Sequence, residues 1–226
     1  MIIRYLTWLV ILTVFNVQLT LAQEVLSQEQ QRKLFVKAER LAHTPNSRVF
    51  KTLMKQLEGY PLKPYVELKT LSQFPFMANK KQIERFLAKY ESSPLDRPLR
   101  KKWLVYLAKQ NQPELFIHFY RNTGNTALNC RYAEMLLEKD ASNTQAFEMA
   151  ENLWVVGKSQ PSDCDALFKQ WQKAGKRTSE LVWKRISLAA NGGNHTLIPY
   201  LKTLLPRNQQ YLADLWLKVR RSPKIG

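Results

Sequence analysis

Apolar residues recur every three to four positions along almost the whole chain, and this spacing limits the possible fold more than any other feature. It is clear where Ile83 is followed by Phe86, Leu87 and Tyr90. Strict alternation of apolar and polar residues, which a half-buried strand would need, is nearly absent. The pattern therefore predicts an all-α protein with amphipathic helices.

Start and stop signals divide this pattern into short helices. N-cap residues such as Ser27 and Thr178 precede apolar runs, and glycines and prolines interrupt those runs. About ten to twelve short helices joined by brief turns are expected. Such a series favours an α-solenoid, a superhelix of right-handed type, because each helix pair buries its apolar face only against its neighbours. A compact helical bundle is the alternative. The main breaks fall at Gly59-Tyr60-Pro61, Gln112-Pro113, Gly157 and Gly192-Gly193.

The N-terminus, residues 1–22, has the pattern of a secretory signal peptide. One positive residue, Arg4, precedes a long apolar run, and small residues precede the expected cleavage point after Ala22. The alternative is an N-terminal membrane anchor, for which the run is barely long enough. No other stretch has the composition of a membrane span. We therefore expect an exported mature chain, residues 23–226, that forms one helical domain and is not stably inserted in a membrane.

The two cysteines, Cys130 and Cys164, both belong to the expected mature chain. Exported proteins meet an oxidising environment, so a disulfide is the expectation. Closing a loop of this length stabilises a fold by about 4 kcal/mol in the chain-entropy model. Two buried free thiols are the alternative.

The segment from Leu153 to Trp171 is the most distinctive part of the chain. It predicts a helical hairpin: an apolar helix that ends at a Gly157 C-cap, a polar turn containing a proline, and an amphipathic helix from about Ser162. Gly157-Lys158-Ser159 also looks like the end of a phosphate-binding loop. The first glycine of that motif would fall on Asn152, so a helix cap is the better interpretation.

This hairpin resembles the N-terminal superhelical region of the large soluble lytic murein transglycosylases of Gram-negative bacteria. Residues 60–67, Tyr-Pro-Leu-Lys-Pro-Tyr-Val-Glu, match the same family, as do Leu188-Ala189 and Gly193-Asn194. The likeness runs in order from roughly Leu34 to Trp216. It implies the superhelical fold, a periplasmic location and a disulfide between the two cysteines.

Members of that family continue into a lysozyme-like catalytic domain, whereas this sequence stops at Gly226. The resemblance therefore implies the superhelical region only, incomplete relative to the family and without the catalytic domain. A natural short module, a truncated gene product and a fragment are all compatible with it. Whether the chain should be classed as an enzyme is left open, and no activity is expected of it alone.

In the family, one glutamic acid in a Glu-Ser motif protonates the glycosidic oxygen and then helps to close a 1,6-anhydro ring. The only Glu-Ser pair here is Glu91-Ser92. The Gly-Leu-Met-Gln and Tyr-Asn-Ala-Gly segments that accompany the family's motif are missing. We therefore predict no catalytic residue in this chain.

No cofactor or metal site is predicted either. The three histidines lie far apart, without partners at the spacing of a metal site or a catalytic triad. The tryptophans could stack on sugars, but their helical spacing favours packing in the core. The histidines are His43, His118 and His195, and the tryptophans after the signal peptide are Trp103, Trp154, Trp171, Trp183 and Trp216.

The chain carries 35 Lys and Arg against 18 Asp and Glu, a formal charge of +17. A periplasmic protein with this charge should bind peptidoglycan glycan strands weakly through electrostatics, and nucleic acid is not an expected partner. The basic residues are scattered except in three clusters, which are predicted to be solvated helix faces. These are Lys80-Lys81, Arg100-Lys101-Lys102 and Arg220-Arg221.

A last helix is predicted from about Arg207 to Val219, with Leu212, Leu215, Trp216 and Val219 on one face. A solenoid needs a polar cap on its last unit, and little sequence follows this helix. The helix is therefore expected to fray or to support self-association, with Trp216 at the centre of an exposed patch.

The leading interpretation is a glycan-handling, non-catalytic part of a periplasmic lytic murein transglycosylase. In the full-length family, the enzyme cleaves the β-1,4 bond between N-acetylmuramic acid and N-acetylglucosamine. The alternative is an exported helical-repeat scaffold that binds proteins and has no role with glycan.

Overall fold

The computed structural model describes residues 27–221. The predicted signal peptide, residues 1–22, lies outside this range. Every regular element within it is helical, with 3-10 turns at Met77–Asn79, Ser162–Cys164 and His195–Leu197, so the all-α prediction is confirmed. The α-helices are α1 (Gln28–Arg40), α2 (Arg48–Gln56), α3 (Lys63–Gln73), α4 (Lys80–Lys89), α5 (Asp96–Lys109), α6 (Pro113–Phe119), α7 (Thr126–Lys139), α8 (Thr144–Trp154), α9 (Asp165–Lys173), α10 (Ser179–Ala190), α11 (Ile198–Thr203) and α12 (Arg207–Arg221).

Side-chain caps start several helices where the sequence indicates. Ser27 and Gln30 form a reciprocal capping box at the start of α1. The side-chain oxygens of Asn125, Asn143 and Thr178 each accept a hydrogen bond from a backbone N–H in the first turn of α7, α8 and α10. Each cap satisfies a backbone donor that has no partner within the helix. Local chemistry therefore fixes these boundaries.

The chain divides into two compact units at Gln73 and Phe74. The described part of the first unit holds α1 to α3, and α1 packs against both α2 and α3. In its small core, Phe50 and Leu53 of α2 lie with Ala38 of α1 and with Ala42, which follows α1. The buried residues of this core are Ala38, Ala42, Phe50, Leu53, Leu57 and Val66.

The second unit holds α4 to α12, and its helices pack mainly against their neighbours in the chain, as an α-solenoid requires. The α4–α6 part is built around Trp103, whose ring stacks on Tyr106 and meets the edge of Phe119. A larger core joins α7 to α12. Across residues 27–221, no helix combines the length and the apolar content that crossing a membrane would take.

Candidate functional site

The Cys130–Cys164 disulfide ties helix α7 to the hairpin. Cys130 lies in α7, and Cys164 ends the 3-10 turn that leads into α9. Their Cα atoms are 5.0 Å apart, and both residues are fully buried. The structure therefore contains the predicted bridge, and the alternative of two free thiols is wrong.

The tryptophans pack in the core as predicted. Trp103, Trp154 and Trp171 are all buried. The centres of the Trp154 and Trp171 rings are 5.5 Å apart, so the two rings pack against each other between helices α8 and α9. Trp183 is half-buried, and its Nε1 donates to Gln209 Oε1 at 2.9 Å. Stacking on sugars is therefore not the role of the three buried rings.

Gly157 is not the helix cap that the sequence predicted. Helix α8 ends at Trp154, and Val155 follows as its cap residue. Gly157 also lacks the left-handed backbone conformation for which a C-cap usually needs glycine. The polar turn therefore begins earlier than expected, and Gly157 must be explained by what its backbone contacts.

The Gly157 backbone lies directly against the end of helix α10. A Cβ atom on Gly157 would overlap the backbone carbonyl of Leu188, and one on Gly193 would overlap the carbonyls of both Leu188 and Gly157. The Asn194 N–H donates to the Gly157 oxygen at 2.6 Å. Only glycine permits such close backbone contact at both positions. This contact brings together three of the segments that carry the family resemblance.

Arg185 lies beside this contact and is 6% exposed. Its guanidinium carbon is 4.5 Å from the centre of the Trp154 ring, and its Nη2 donates to the Lys158 carbonyl at 3.1 Å. Its buried Nε has no hydrogen-bond partner. Within residues 27–221, no carboxylate forms an ion pair with Arg185, so an indole face and one carbonyl are the groups that offset its charge.

A second arginine, Arg177, lies just before helix α10 and is half-buried. Burial lowers the pKa of both Arg177 and Arg185, and the nearby Tyr200 phenol partly opposes this shift in each. Tyr200, on α11, is 57% exposed. Lys158, in the turn after α8, is exposed. We refer to Arg185, the Trp154 ring and the Lys158 carbonyl as the arginine site.

The arginine site was not predicted from the sequence, although the sequence contains one usable signal. Val182, Ile186 and Ala189 mark the buried face of α10. Arg185 occupies the same helical register, so a cation is placed on an apolar face. Such a position calls for a compensating partner. The sequence alone does not show that the groups beside Arg185 are an indole ring and a backbone carbonyl instead of a carboxylate.

Glu91, the acid of the only Glu-Ser pair, is a surface residue. Its side chain is 50% exposed, and its Oε1 lies 3.2 Å from Arg121 Nε. A general acid in glycoside cleavage is usually held in an apolar pocket that favours its protonated form. An exposed ion pair provides no such pocket. Glu91 therefore lacks the surroundings of a catalytic acid.

The three histidines are surface residues. His43 and His195 are exposed. His118 meets the edge of Phe119, and its Nε2 is 3.9 Å from Glu84 Oε1. In the part of the chain that the structure describes, no three His, Cys, Asp or Glu residues are grouped so that they could hold a metal ion.

One predicted surface cluster includes a buried residue. Lys101 and Lys102 are exposed, as expected of a solvated face, but Arg100 is only 3% exposed. Both oxygens of Asp96 accept from its guanidinium, and its Nη1 donates to the Phe119 carbonyl at 2.7 Å. The prediction was therefore wrong for Arg100, because an aspartate one turn earlier pairs with it. Lys81 is exposed, and the side chains of Arg220 and Arg221 lie outside the described part.

The first unit has an open basic depression of about 390 Å³ along helix α2. Three cations on successive turns of this helix line it, together with two neutral polar residues. A surface of this kind attracts anions from solution but shows no enclosed site. The lining residues are Asn46, Arg48, Lys51, Thr52 and Lys55.

The last helix, α12, has an apolar face in solvent, but Trp216 is not at its centre. Trp216 is partly buried and packs against the core of α7 to α12. Leu212, Leu215 and Val219 are 42%, 54% and 47% exposed. The prediction placed all four side chains on one face. The structure instead turns the indole inward, where burial of a large ring stabilises the fold most.

No family model matches the chain, but individual proteins do. The soluble lytic murein transglycosylase of Escherichia coli K12 is 26% identical over 198 residues, which are 87% of this chain and 30% of that protein. The protein of the same name from Salmonella typhimurium LT2 is 27% identical over 199 residues, with the same shares. The chain therefore spans less than a third of the length of the curated relatives that it matches.

Solved structures agree with this similarity. The 70 kDa soluble lytic transglycosylase of Escherichia coli superimposes with a TM-score of 0.70 at 26% identity, covering 87% of this chain and 32% of that one. An inactive mutant of a lytic transglycosylase from Pseudomonas aeruginosa gives a TM-score of 0.69 at 31% identity over 85% of this chain and 32% of its own. In both sequence and structure, this chain is related to one part of the soluble lytic murein transglycosylases, as the sequence analysis predicted.

Proposed function

We propose that this chain is the glycan-handling helical part of a periplasmic lytic murein transglycosylase and is inactive alone. The observation that carries the proposal is the similarity along 87% of the chain to proteins named for murein cleavage. One solved structure of the 70 kDa relative is a complex with bulgecin A, which supports ligand binding within this family. In this proposal, cleavage between N-acetylmuramic acid and N-acetylglucosamine belongs to the full-length relatives.

Electrostatics supports binding of this chain to murein. The sequence has nearly twice as many basic as acidic residues. Murein carries the free carboxylates of its peptide stems, so a basic surface such as the α2 depression should hold it loosely. Exposed charges are screened within about 3 Å at 1 M salt, so such binding should weaken as salt is added.

The test is a sedimentation assay with purified murein sacculi and the chain from residue 23 onward. We expect the protein to pellet with sacculi at low ionic strength and to be released as salt is added. The triple substitution of Arg48, Lys51 and Lys55 by Gln should weaken binding, whereas Gln56→Ala, at an exposed neutral position of the same helix, should not. Binding unchanged by salt would contradict the electrostatic account.

The same preparation tests the proposed lack of activity. We expect no release of anhydro-muropeptides during prolonged incubation, because Glu91 is exposed and ion-paired. Release of product that disappears in Glu91→Gln would overturn the proposal. Release that persists in Glu91→Gln would show that another residue is catalytic, and it would also contradict the inactive chain.

Export through a cleaved signal peptide is a further part of the proposal. Its support is the composition of residues 1–22 and the disulfide, which an oxidising compartment favours. Mass spectrometry of protein from the periplasmic fraction should give a mature N-terminus at Gln23. A chain that retains Met1 and fractionates with membranes would indicate the anchor instead.

The apolar face of α12 supports self-association as a secondary proposal. Leu212, Leu215 and Val219 form an exposed apolar row along one side of the helix. Light scattering should show oligomers that Leu215→Glu disperses. Asn208→Glu, at an exposed polar position of the same helix, is the matched control and should leave them intact. A monomer at all concentrations would contradict this secondary proposal without affecting murein binding.

A further inference from the structure

The α2 depression carries three cations on one face of its helix. Arg48, Lys51 and Lys55 follow one another at spacings of three and four residues, so their side chains leave the helix on the same side. Helix geometry spreads them over about 10 Å along the axis. All three are exposed, and the exposed Asn46 and Thr52 complete the lining. We refer to Arg48, Lys51 and Lys55 as the cation row.

In the described part of the first unit, no acid pairs with the cation row. None of the ion pairs within residues 27–221 involves Arg48, Lys51 or Lys55. The acids of α1 and α3 are paired with other lysines. These pairs are Glu29 with Lys33, Glu39 with Lys69, and Glu67 with Lys63. The row therefore keeps its positive charge for a partner from solution.

The length of the cation row favours a ligand that carries several negative charges in sequence. Each exposed cation contributes little alone, because water and salt screen its charge. One small anion can meet only part of a row that is about 10 Å long. An extended peptide, in contrast, presents side chains on the same side about every 7 Å. An acidic peptide therefore gains from the whole row, whereas a neutral sugar gains no charge interaction from it.

The size and the neutral residues of the depression suit the same ligand. Its volume of about 390 Å³ falls within the range of small-ligand sites, about 300–1,000 Å³. Asn46 and Thr52 can exchange hydrogen bonds with peptide amides. The Arg48 guanidinium can hold a carboxylate through two parallel hydrogen bonds. The depression thus offers partners both for carboxylates and for a peptide backbone.

We infer that the α2 depression binds a short acidic peptide, whose carboxylates face Arg48, Lys51 and Lys55. Identification of this peptide as the stem peptide of murein rests on the proposed function. It assigns the contact with murein at this site to the peptide instead of the sugar chain. Affinity for an acidic peptide does not rest on the proposed function.

The test compares three ligands that differ in charge and in chemical class. The first is a synthetic murein stem tetrapeptide with an acetylated N-terminus and free carboxylates. The second is the same peptide with its carboxylates converted to amides, and the third is a neutral oligomer of N-acetylglucosamine. Each is titrated into the 15N-labelled mature protein, and the backbone amide resonances of α2 are followed by NMR.

We expect the tetrapeptide to shift the α2 resonances in a saturable way. The amidated peptide should bind at least about tenfold more weakly, the combined effect of losing several exposed ion pairs. The sugar oligomer should leave the resonances unchanged. Equal affinity for the two peptides, or saturable shifts with the sugar oligomer, would overturn the inference.

Single substitutions locate the peptide on the cation row. Lys51→Gln should weaken peptide binding about threefold, as expected for one exposed ion pair. Arg48→Lys keeps the charge but loses the planar fork, so it should weaken binding less than Arg48→Gln. Lys37→Gln removes an exposed charge of α1 outside the lining and should change the affinity by less than about 1.5-fold. Equal losses in Lys51→Gln and Lys37→Gln would mean that only net charge matters, and the site would be wrong.

Further outcomes separate the site from the proposed function. If the tetrapeptide does not shift the α2 resonances while the protein still pellets with sacculi, the site is wrong and the function stands. If the tetrapeptide binds as expected but the protein does not pellet with sacculi, the site stands and the function is wrong. Vesicles of phosphatidylglycerol that shift these resonances when the peptide does not would indicate a membrane surface and overturn the inference. Inorganic phosphate that binds as tightly as the tetrapeptide would also overturn it.

Discussion

Arg100 and Arg185 are both buried arginines on helices of the second unit, but their neighbourhoods differ. Arg100 is held by both oxygens of Asp96, one helical turn earlier, and by the Phe119 carbonyl. Arg185 has one carbonyl, an aromatic face and an unpartnered Nε. The first cation is neutralised inside the fold, whereas the second is not.

The difference distinguishes a charge neutralised by an ion pair from one that has no anionic partner. A buried ion pair with its hydrogen bonds complete gains little from any further partner. A buried cation without an anion keeps an unfavourable desolvation energy that an external anion can relieve. The fold tolerates this at Arg185 because stronger interactions hold the surroundings in place. These are the disulfide, the Trp154–Trp171 pair and the contact between Gly157 and Gly193.

The largest expected effect comes from the disulfide, which would hold the Arg185 neighbourhood rigid. The bridge joins residues separated by 34 positions in sequence. Replacing both Cys130 and Cys164 by Ser should lower the free energy of unfolding by about 4 kcal/mol. Urea denaturation of the oxidised protein and of the double variant measures this difference. The wild-type protein under reducing conditions is the control and should match the variant. A loss below about 1 kcal/mol would mean that packing alone holds the hairpin.

A second effect tests whether Asp96 compensates Arg100. Asp96→Ala leaves the buried guanidinium without its anion and should lower the free energy of unfolding by about 3 kcal/mol. Glu148→Ala removes an exposed acid from helix α8 and should change the free energy by less than about 0.5 kcal/mol. Similar small changes in both variants would show that the Arg100 ion pair is dispensable, and Arg100 would no longer represent a neutralised charge.

The Gly157 contact should give an intermediate effect. Gly157→Ala places a methyl group against the Leu188 carbonyl, and backbone must move to admit it. We expect a loss of about 2 kcal/mol in the free energy of unfolding. Ser159→Ala, in the exposed part of the same turn, is the control and should be neutral. If Gly157→Ala were equally neutral, the turn would be flexible, and Arg185 would not be rigidly positioned.

The smallest expected effect is at Arg185 itself. Arg185→Met removes a cation that lacks an anion and puts an apolar chain of similar length on the buried face of α10. The change in the free energy of unfolding should be within about 1 kcal/mol of zero, in either direction, because no buried acid is left unpaired. Arg100→Met, which leaves Asp96 alone, should cost clearly more. Equal losses of unfolding free energy in the two variants would show that pairing with an acid does not distinguish the two arginines.

Local chemistry made much of the fold predictable. Ser27 and Thr178 cap their helices because N-cap hydrogen bonds depend on residues only a few positions away. The spacing of apolar residues identified the helices for the same reason. The Cys130–Cys164 pairing needed no search, because the chain has only two cysteines. Such features do not depend on the arrangement of distant segments.

Features that depend on distant contacts were missed. Gly157 is required by the approach of Leu188 and Gly193, which no local pattern reveals. The ion pair of Arg100 with Asp96 was visible in the spacing of the two residues, but the neighbouring lysines suggested a solvated face. Trp216 turned inward because the tertiary core accepts its ring. The surroundings of Arg185 likewise depend on distant contacts, with the Trp154 ring and the Lys158 carbonyl, which Arg185 alone does not reveal.

The central claim is that uncompensated positive charge binds the carboxylates of murein, and one measurement tests it most directly. Sacculi are treated so that their carboxylates become neutral amides, and the affinity of the mature protein for treated and untreated sacculi is compared at one ionic strength. The account predicts that amidation weakens binding at least about tenfold and that substitution of Arg48, Lys51 and Lys55 by Gln then causes no further loss. Equal affinity for the two kinds of sacculi would contradict it.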